Sequence, residues 1–328
     1  MSSSLSRRHF ALAAAAAGAA AALPGPALAQ AKLKYGNAGA AGTLSNKFAA
    51  LWFQEVAKRT NNAYAVDIFA GTLGGEAQLL QGMALGTLDI YLGAYTGTRE
   101  FDIMYSPFFF RDGAHAGKVM TSPFRATAGK VMEDKYKAHF VGVGRLGPWC
   151  LFTKRPIASL ADIKGMKIRA PQFEGNIRSL QHLGANPTPI AFNEIYTALQ
   201  SGVVDGMVTS LNVAVAGKFF EVCKYVVEGE FGYGLDKACI ASRVWSRLPA
   251  DHQRAFQSAF DEKEDSDYYQ AGIASVPTDY ATWREKNGAD SVIKLDLKAA
   301  AGAMESLNAK MADEVFGPGS WKKIQDVA

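Results

Sequence analysis

The residue best placed to do chemistry is an arginine at the end of a short apolar run. In Lys164-Gly165-Met166-Lys167-Ile168-Arg169-Ala170-Pro171 a glycine turn opens the run and a proline closes it. Strand alternation puts the Arg169 side chain on one face, at the rim of a sheet. A guanidinium there offers a planar fork of donors that fits a carboxylate bidentately. About twenty residues on, Pro187-Thr188-Pro189 leads into Phe192-Asn193-Glu194-Ile195-Tyr196-Thr197-Ala198-Leu199-Gln200, a helix stopped at Gly202 and followed by Val203-Val204-Asp205-Gly206. By spacing alone the same residues also fit a plain βαβ unit with a surface arginine, since exposed arginines are common.

No catalytic or metal constellation accompanies it. The histidines are His9, His115, His139, His182 and His252, with no H-x-x-x-H or H-E-x-x-H pair, and no G-x-S-x-G elbow occurs. Neither an enzyme, a cofactor nor a metal site is expected. Gly142-Val143-Gly144-Arg145-Leu146-Gly147 does fit G-x-G-x-x-G. A dinucleotide site needs that run to open a helix, whereas here Pro148 and the strand-like Trp149 to Thr153 follow, so the motif is rejected.

Strands and helices must alternate to position such an arginine, and they do. Leu33 to Gly36 reads as a strand ending in a small-residue loop, Asn37 to Gly42. Ser45 to Arg59 reads as an amphipathic helix, with Phe48, Leu51, Trp52 and Val56 on one stripe and Ser45 or Thr43 as N-cap. Tyr64 to Phe69 alternates as a strand, Glu76 to Leu85 is a helix ended by Gly86, and Asp89 to Ala94 is a strand. Val141 to Val143 and Cys150 to Thr153 are two further strands. Asp251 to Gln270 and Lys298 to Val315 are helices. The fold class is α/β.

The first 29 residues stand apart. Ser6-Arg7-Arg8-His9-Phe10 precedes an alanine-rich run to Leu23 and a small-x-small site, Ala27-Leu28-Ala29. The pattern reads as a twin-arginine signal peptide cut before Gln30, which places the mature protein in the periplasm. The formal charge of the whole chain is +4; the signal removes two arginines and no acid, leaving +2 on the mature chain. That balance argues against nucleic-acid binding, and no later run is long and apolar enough to span a membrane. Cys150, Cys223 and Cys239 lie in apolar stretches without CxxC spacing and read as buried, unpaired thiols.

Several ordered motifs resemble the periplasmic solute-binding proteins of TRAP (tripartite ATP-independent periplasmic) transporters, DctP type. They are Asp162 to Arg169, Gly184 to Pro189, Glu194 to Gly206 and Lys218-Phe219-Phe220-Glu221-Val222, with Leu73-Gly74-Gly75-Glu76, Gly86 to Ile90 and Ser106 to Phe110 upstream. The resemblance implies a two-lobed periplasmic binding protein fold with a hinge and an interlobe cleft. Lobe one would span roughly 30–146 and 235–275, and lobe two roughly 147–234 and 276–328. It implies a protein that captures an organic acid anion and delivers it to the large and small membrane permease subunits. A ligand sensor for a membrane receptor and an exported α/β enzyme acting on a small carboxylate are the alternatives.

The resemblance assigns Arg169 the salt bridge to the ligand carboxylate and Glu76 a first-lobe acid facing the ligand. Sialic-acid-binding members carry a second arginine where this chain has Trp149, and an asparagine where it has Thr209, with Val208 replacing a preceding acid. These departures exclude sialic acid and point to a monocarboxylate with an apolar or aromatic body against Trp149. Asn37, Tyr95, Phe192, Asn212 and Tyr233 are further pocket candidates. Arg145 is expected at the surface.

Overall fold

The structure, a computed structural model, describes residues 30–94, 97–122 and 124–327. The segment expected to be an export signal, residues 1–29, and Tyr95 lie outside the described residues. The strands are β1 Ala31–Asn37, β2 Tyr64–Ala70, β3 Ile90–Gly93, β4 Ala138–Thr153, β5 Lys167–Ala170, β6 Asn186–Pro189, β7 Gly206–Ser210, β8 Tyr225–Glu228, β9 Gly232–Ala241 and β10 Val292–Lys294. They form one mixed sheet in the order β2-β1-β3-β9-β4-β7-β5-β6, with β8 joining β4 and carrying β10. The main helices are α1 Leu44–Arg59, α2 Glu76–Leu85, α3 Glu174–His182, α4 Ala250–Lys263, α5 Gln270–Asn287 and α6 Lys298–Phe316.

Two parallel units, β2-β1-β3 and β7-β5-β6, sit at the two ends of the sheet, and the long antiparallel strands β4 and β9 connect them. Parallel strands covered by helices on both sides must be apolar on both faces. Ile90, Tyr91 and Leu92 are accordingly all fully buried. On α1, Phe48, Trp52 and Val56 face this core, and Trp52 Nε1 donates to Phe256 O at 2.9 Å. At the other end Cys150, Phe152, Ile195, Leu199, Met207 and Trp283 form a second apolar cluster. The fold is therefore α/β and two-lobed.

Several local expectations need correction. Leu51 is exposed, because it lies one position off the stripe that meets the core. Thr43 occupies the N-cap of α1 without a side-chain capping bond, and Ser45 is used elsewhere. The two short strands expected around residues 141 and 150 are one strand, β4. Its Gly-x-Gly-x-x-Gly run lies inside the strand, with pairing irregularities at Phe140/Gly142 and Arg145/Gly147. Proline is tolerated at 148 because pairing to β7 begins only at Trp149, so no partner on that side needs its missing N–H. The helix expected to end at Gln270 continues to Asn287 through a π turn at Glu264–Tyr269. Gly272, inside that continuation, is a close approach: a Cβ there would lie 2.7 Å from Leu146 O.

Arg145 is buried rather than superficial. Nε and Nη2 bond both oxygens of Glu264 at 2.9 and 2.7 Å, Nη2 also reaches Asp265 Oδ1 at 2.8 Å, and the guanidinium lies 4.0 Å over the Tyr269 ring. It fastens β4 to the π turn. All three cysteines are buried and free.

Candidate functional site: an interlobe cleft

The loop after β1, the end of β3, the middle of β4 and β9, the ends of β5 and β7 and the start of α2 meet around a cleft of about 590 Å³, part of it open to solvent. Arg169, Trp149, Thr209, Glu76, Phe192 and Asn37 all line it. Asn212 does not: its Nδ2 donates to Leu146 O at 2.7 Å at the cleft's edge, and its Oδ1 is buried without a partner among the described residues. Tyr233 lies outside the lining as well, its hydroxyl donating to Glu230.

Arg169 comes from β5, whose neighbours β6 and β7 bring up backbone oxygens. Nε donates to Ile190 O at 3.0 Å and Nη1 to Val208 O at 3.3 Å. The residue is only 3% exposed. Two of its five N–H groups are spent on these carbonyls, and Nη2 makes no bond among the described residues. No carboxylate is ion-paired with it there. Burial pulls its pKa down to about 9, opposed by the Glu76 charge, so it stays a cation at neutral pH. Taken from water and given no counter-ion, such a charge is costly. An anion entering the cleft would offset that cost.

Trp149 sits in β4 opposite Ser210 of β7, its ring 5.1 Å from that of Tyr105 and 6.3 Å from that of Phe173. Its Nε1 is buried without a partner among the described residues, as is Ser210 Oγ. Both crowd Gly234, where a Cβ would lie 2.8 Å from Nε1 and 2.5 Å from Oγ. Thr209 is 5% exposed. Glu76 starts α2, and its Oε1 accepts from Ala94 N at 2.9 Å, which ties the helix start to the end of β3. Asn37 shapes the loop: Nδ2 donates to Leu92 O, and Oδ1 accepts from Gly39 N at 2.7 Å.

Sequence reasoning missed Asp236, Ser45, Ser210, Phe173 and Gly234, which also line the cleft. One signal was available. Asp236-Lys237 is a charged pair inside the otherwise apolar strand Gly232–Ala241, and buried charges in strands flag function. Lys237 is fully buried, donating from Nζ to Ala94 O at 2.8 Å, Tyr105 OH at 2.6 Å and Leu235 O at 2.9 Å. Burial pushes its pKa down and pushes that of Asp102 behind it up. Among the described residues no cluster of histidine, cysteine and carboxylate groups could hold a metal ion, and no helix is long and apolar enough to cross a membrane.

Known proteins share this fold. Residues 35–314 match bacterial extracellular solute-binding protein family 7, DctP. A TRAP periplasmic solute-binding protein of Polaromonas, solved bound to D-erythronate, superposes with a TM-score of 0.80 at 29% identity, covering 90% of this chain and 99% of that one. A second, of Roseobacter denitrificans with bound L-galactonate, gives 0.75 at 27% identity over 84% and 94% of the two chains. In sequence that protein is 30% identical over 210 residues, a match that spans 63% of this chain and 65% of its own length. The 2,3-diketo-L-gulonate-binding periplasmic protein YiaO of Escherichia coli is 29% identical over 80% of this chain and 81% of its own. These relatives are binding proteins and not enzymes. On its fold, its interlobe cleft and the match over most of its length, the chain belongs to the DctP family, bacterial extracellular solute-binding protein family 7.

Proposed function

We propose that this protein is the periplasmic solute-binding component of a TRAP transporter, capturing an organic acid with one carboxylate and handing it to the two membrane permease subunits. One observation carries the reading. Arg169 is buried, cationic and without an ion-pair partner among the described residues, in a cleft between the two ends of the sheet. A carboxylate bound to its free N–H groups would complete a charge-assisted pair. The lining residues include one basic side chain, Arg169, against two acids, Glu76 and Asp236, which favours a monocarboxylate because a second anionic group would meet like charge. The sugar acids bound by relatives support a hydroxylated body over the purely apolar one expected from Trp149.

Lobes of roughly 30–146 with 235–275, and 147–234 with 276–328, would close by bending where β4 and β9 pass between them. The twin-arginine signal at the N-terminus would deliver the chain to the periplasm. The test is mass spectrometry of small molecules carried by protein purified from the periplasm, with melting curves over a panel of mono-, di- and sugar acids. A co-purified monocarboxylate that raises the melting temperature with its concentration is the expected result. A panel in which no acid shifts the melting temperature would contradict the proposal.

A further inference from the structure

Asp236 is a buried carboxylate that an anchor at Arg169 does not use. It is 3% exposed and lines the cleft on the same face of β9 as Gly234. Ser45 Oγ and Tyr268 OH both donate to its Oδ2, at 2.6 and 2.5 Å, and lie 2.9 Å from each other. This ring fixes the carboxylate's rotamer and leaves Oδ1 with no partner among the described residues. On the same wall, beside Gly234, stand the unpartnered Trp149 Nε1 and Ser210 Oγ, on side chains that are 7% and 1% exposed. Burying polar groups without partners is costly, so a wall with an open acceptor and open donors calls for a ligand that satisfies both.

We infer that Asp236 is a specificity-determining residue: its Oδ1 accepts a hydrogen bond from a hydroxyl on the body of the bound acid and repels a second carboxylate. The inference rests on the carboxylate anchor at Arg169. A hydroxyl fits this wall because it donates to Asp236 and also accepts from a donor such as the indole N–H, which an ammonium cannot do. A deoxygenated acid would bury Oδ1 unpaired, and a dicarboxylate would set two anions against each other.

The test is calorimetry on the full mature chain with acids of four and of six carbons. At each length the probes are the polyhydroxy monoacid (erythronate, galactonate), the unsubstituted monoacid, the α,ω-dicarboxylate and the ω-amino acid. In the wild type the polyhydroxy acid of at least one length should bind about tenfold to a hundredfold tighter than its unsubstituted counterpart, the range for a hydrogen bond to a charged group. Asp236→Asn should cut that preference to below about threefold and bring the dicarboxylate closer to the monoacid. Trp149→Phe, which keeps the ring and removes the N–H, should lower the same preference and serves if Asp236→Asn fails to fold. Tightest binding of the dicarboxylate or the amino acid, or a hydroxyl preference unchanged in either folded variant, overturns the inference. Arg169→Met separates the two readings. If it abolishes binding while Asp236→Asn changes nothing, only the role of Asp236 falls. If it changes nothing, or if no probe binds the wild type at millimolar concentration, the anchor falls as well.

Discussion

Replacing Arg169 with methionine separates binding from folding, because the two respond to different features of one side chain. An unbranched side chain of similar length fills the same space but carries no charge. In the ligand-free protein the buried guanidinium, its pKa held down to about 9, costs the fold on the order of 5 kcal/mol. Its hydrogen bonds to Ile190 O and Val208 O offset part of that, since each buried carbonyl left bare costs about 1–3 kcal/mol. The two effects nearly cancel, so the ligand-free melting temperature should move by no more than about 5 °C. Binding has no such compensation. Removing one partner of a buried ion pair costs roughly 3–5 kcal/mol, which weakens the dissociation constant by about a hundredfold to a few thousandfold. Arg169→Lys should fall between, because a point charge does not reproduce the fork. The assays are calorimetric titration with the co-purified acid and scanning calorimetry without it. Affinity within about threefold of wild type, or a ligand-free melting temperature lowered by more than about 10 °C, would refute the reasoning and make Arg169 a structural strut.

Four further outcomes are expected. Replacing Arg7 and Arg8 with lysine should abolish delivery of the chain to the periplasm, read by cell fractionation; an unchanged yield contradicts twin-arginine export. Cys150, Cys223 and Cys239 are buried, and burial raises the pKa of the Cys150 thiol to about 12 and of the other two further, so native protein at pH 8 should resist alkylation at all three, read by mass spectrometry before and after denaturation. His115 is held neutral, its Nδ1 accepting from Arg111 N at 3.1 Å and its Nε2–H donating to Ile324 O at 2.9 Å, and burial lowers its pKa. The unfolded state then takes up the proton first, so stability present above about pH 6.5 is lost as pH falls below it; His115→Gln should lose less melting temperature between pH 7 and 5, and parallel curves would be evidence against this. Gly144→Ala would place a Cβ 2.1 Å from Tyr268 Cε1, costing about 1–3 kcal/mol by overpacking and displacing the tyrosine that bonds Asp236; an unchanged melting temperature would show that the helix can simply move away.

The sequence alone determined the elements whose cause is local. Alternation and turn residues marked β1, α1, β2 and α2, and α2 begins at Glu76 and ends at a left-handed Gly86 as its residues imply. Arg169 could be singled out because a strand's two-residue period and a flanking proline act within a few residues. The rest was decided by tertiary structure. Pro148 and the glycines of β4 read as breaks, and only pairing to β9 on one side makes them one strand. Leu51 fits the apolar stripe of α1, yet the core meets the helix along Phe48, Trp52 and Val56 and leaves Leu51 exposed. Arg145 looks like a surface residue until the π turn 119 positions later supplies Glu264. Ser45 and Asp236 are 191 residues apart, and each by itself is an ordinary polar residue. Backbone sterics and side-chain periodicity reach only along the chain. The cleft exists because distant segments desolvate one another's polar groups, and that cost depends on who the neighbours are.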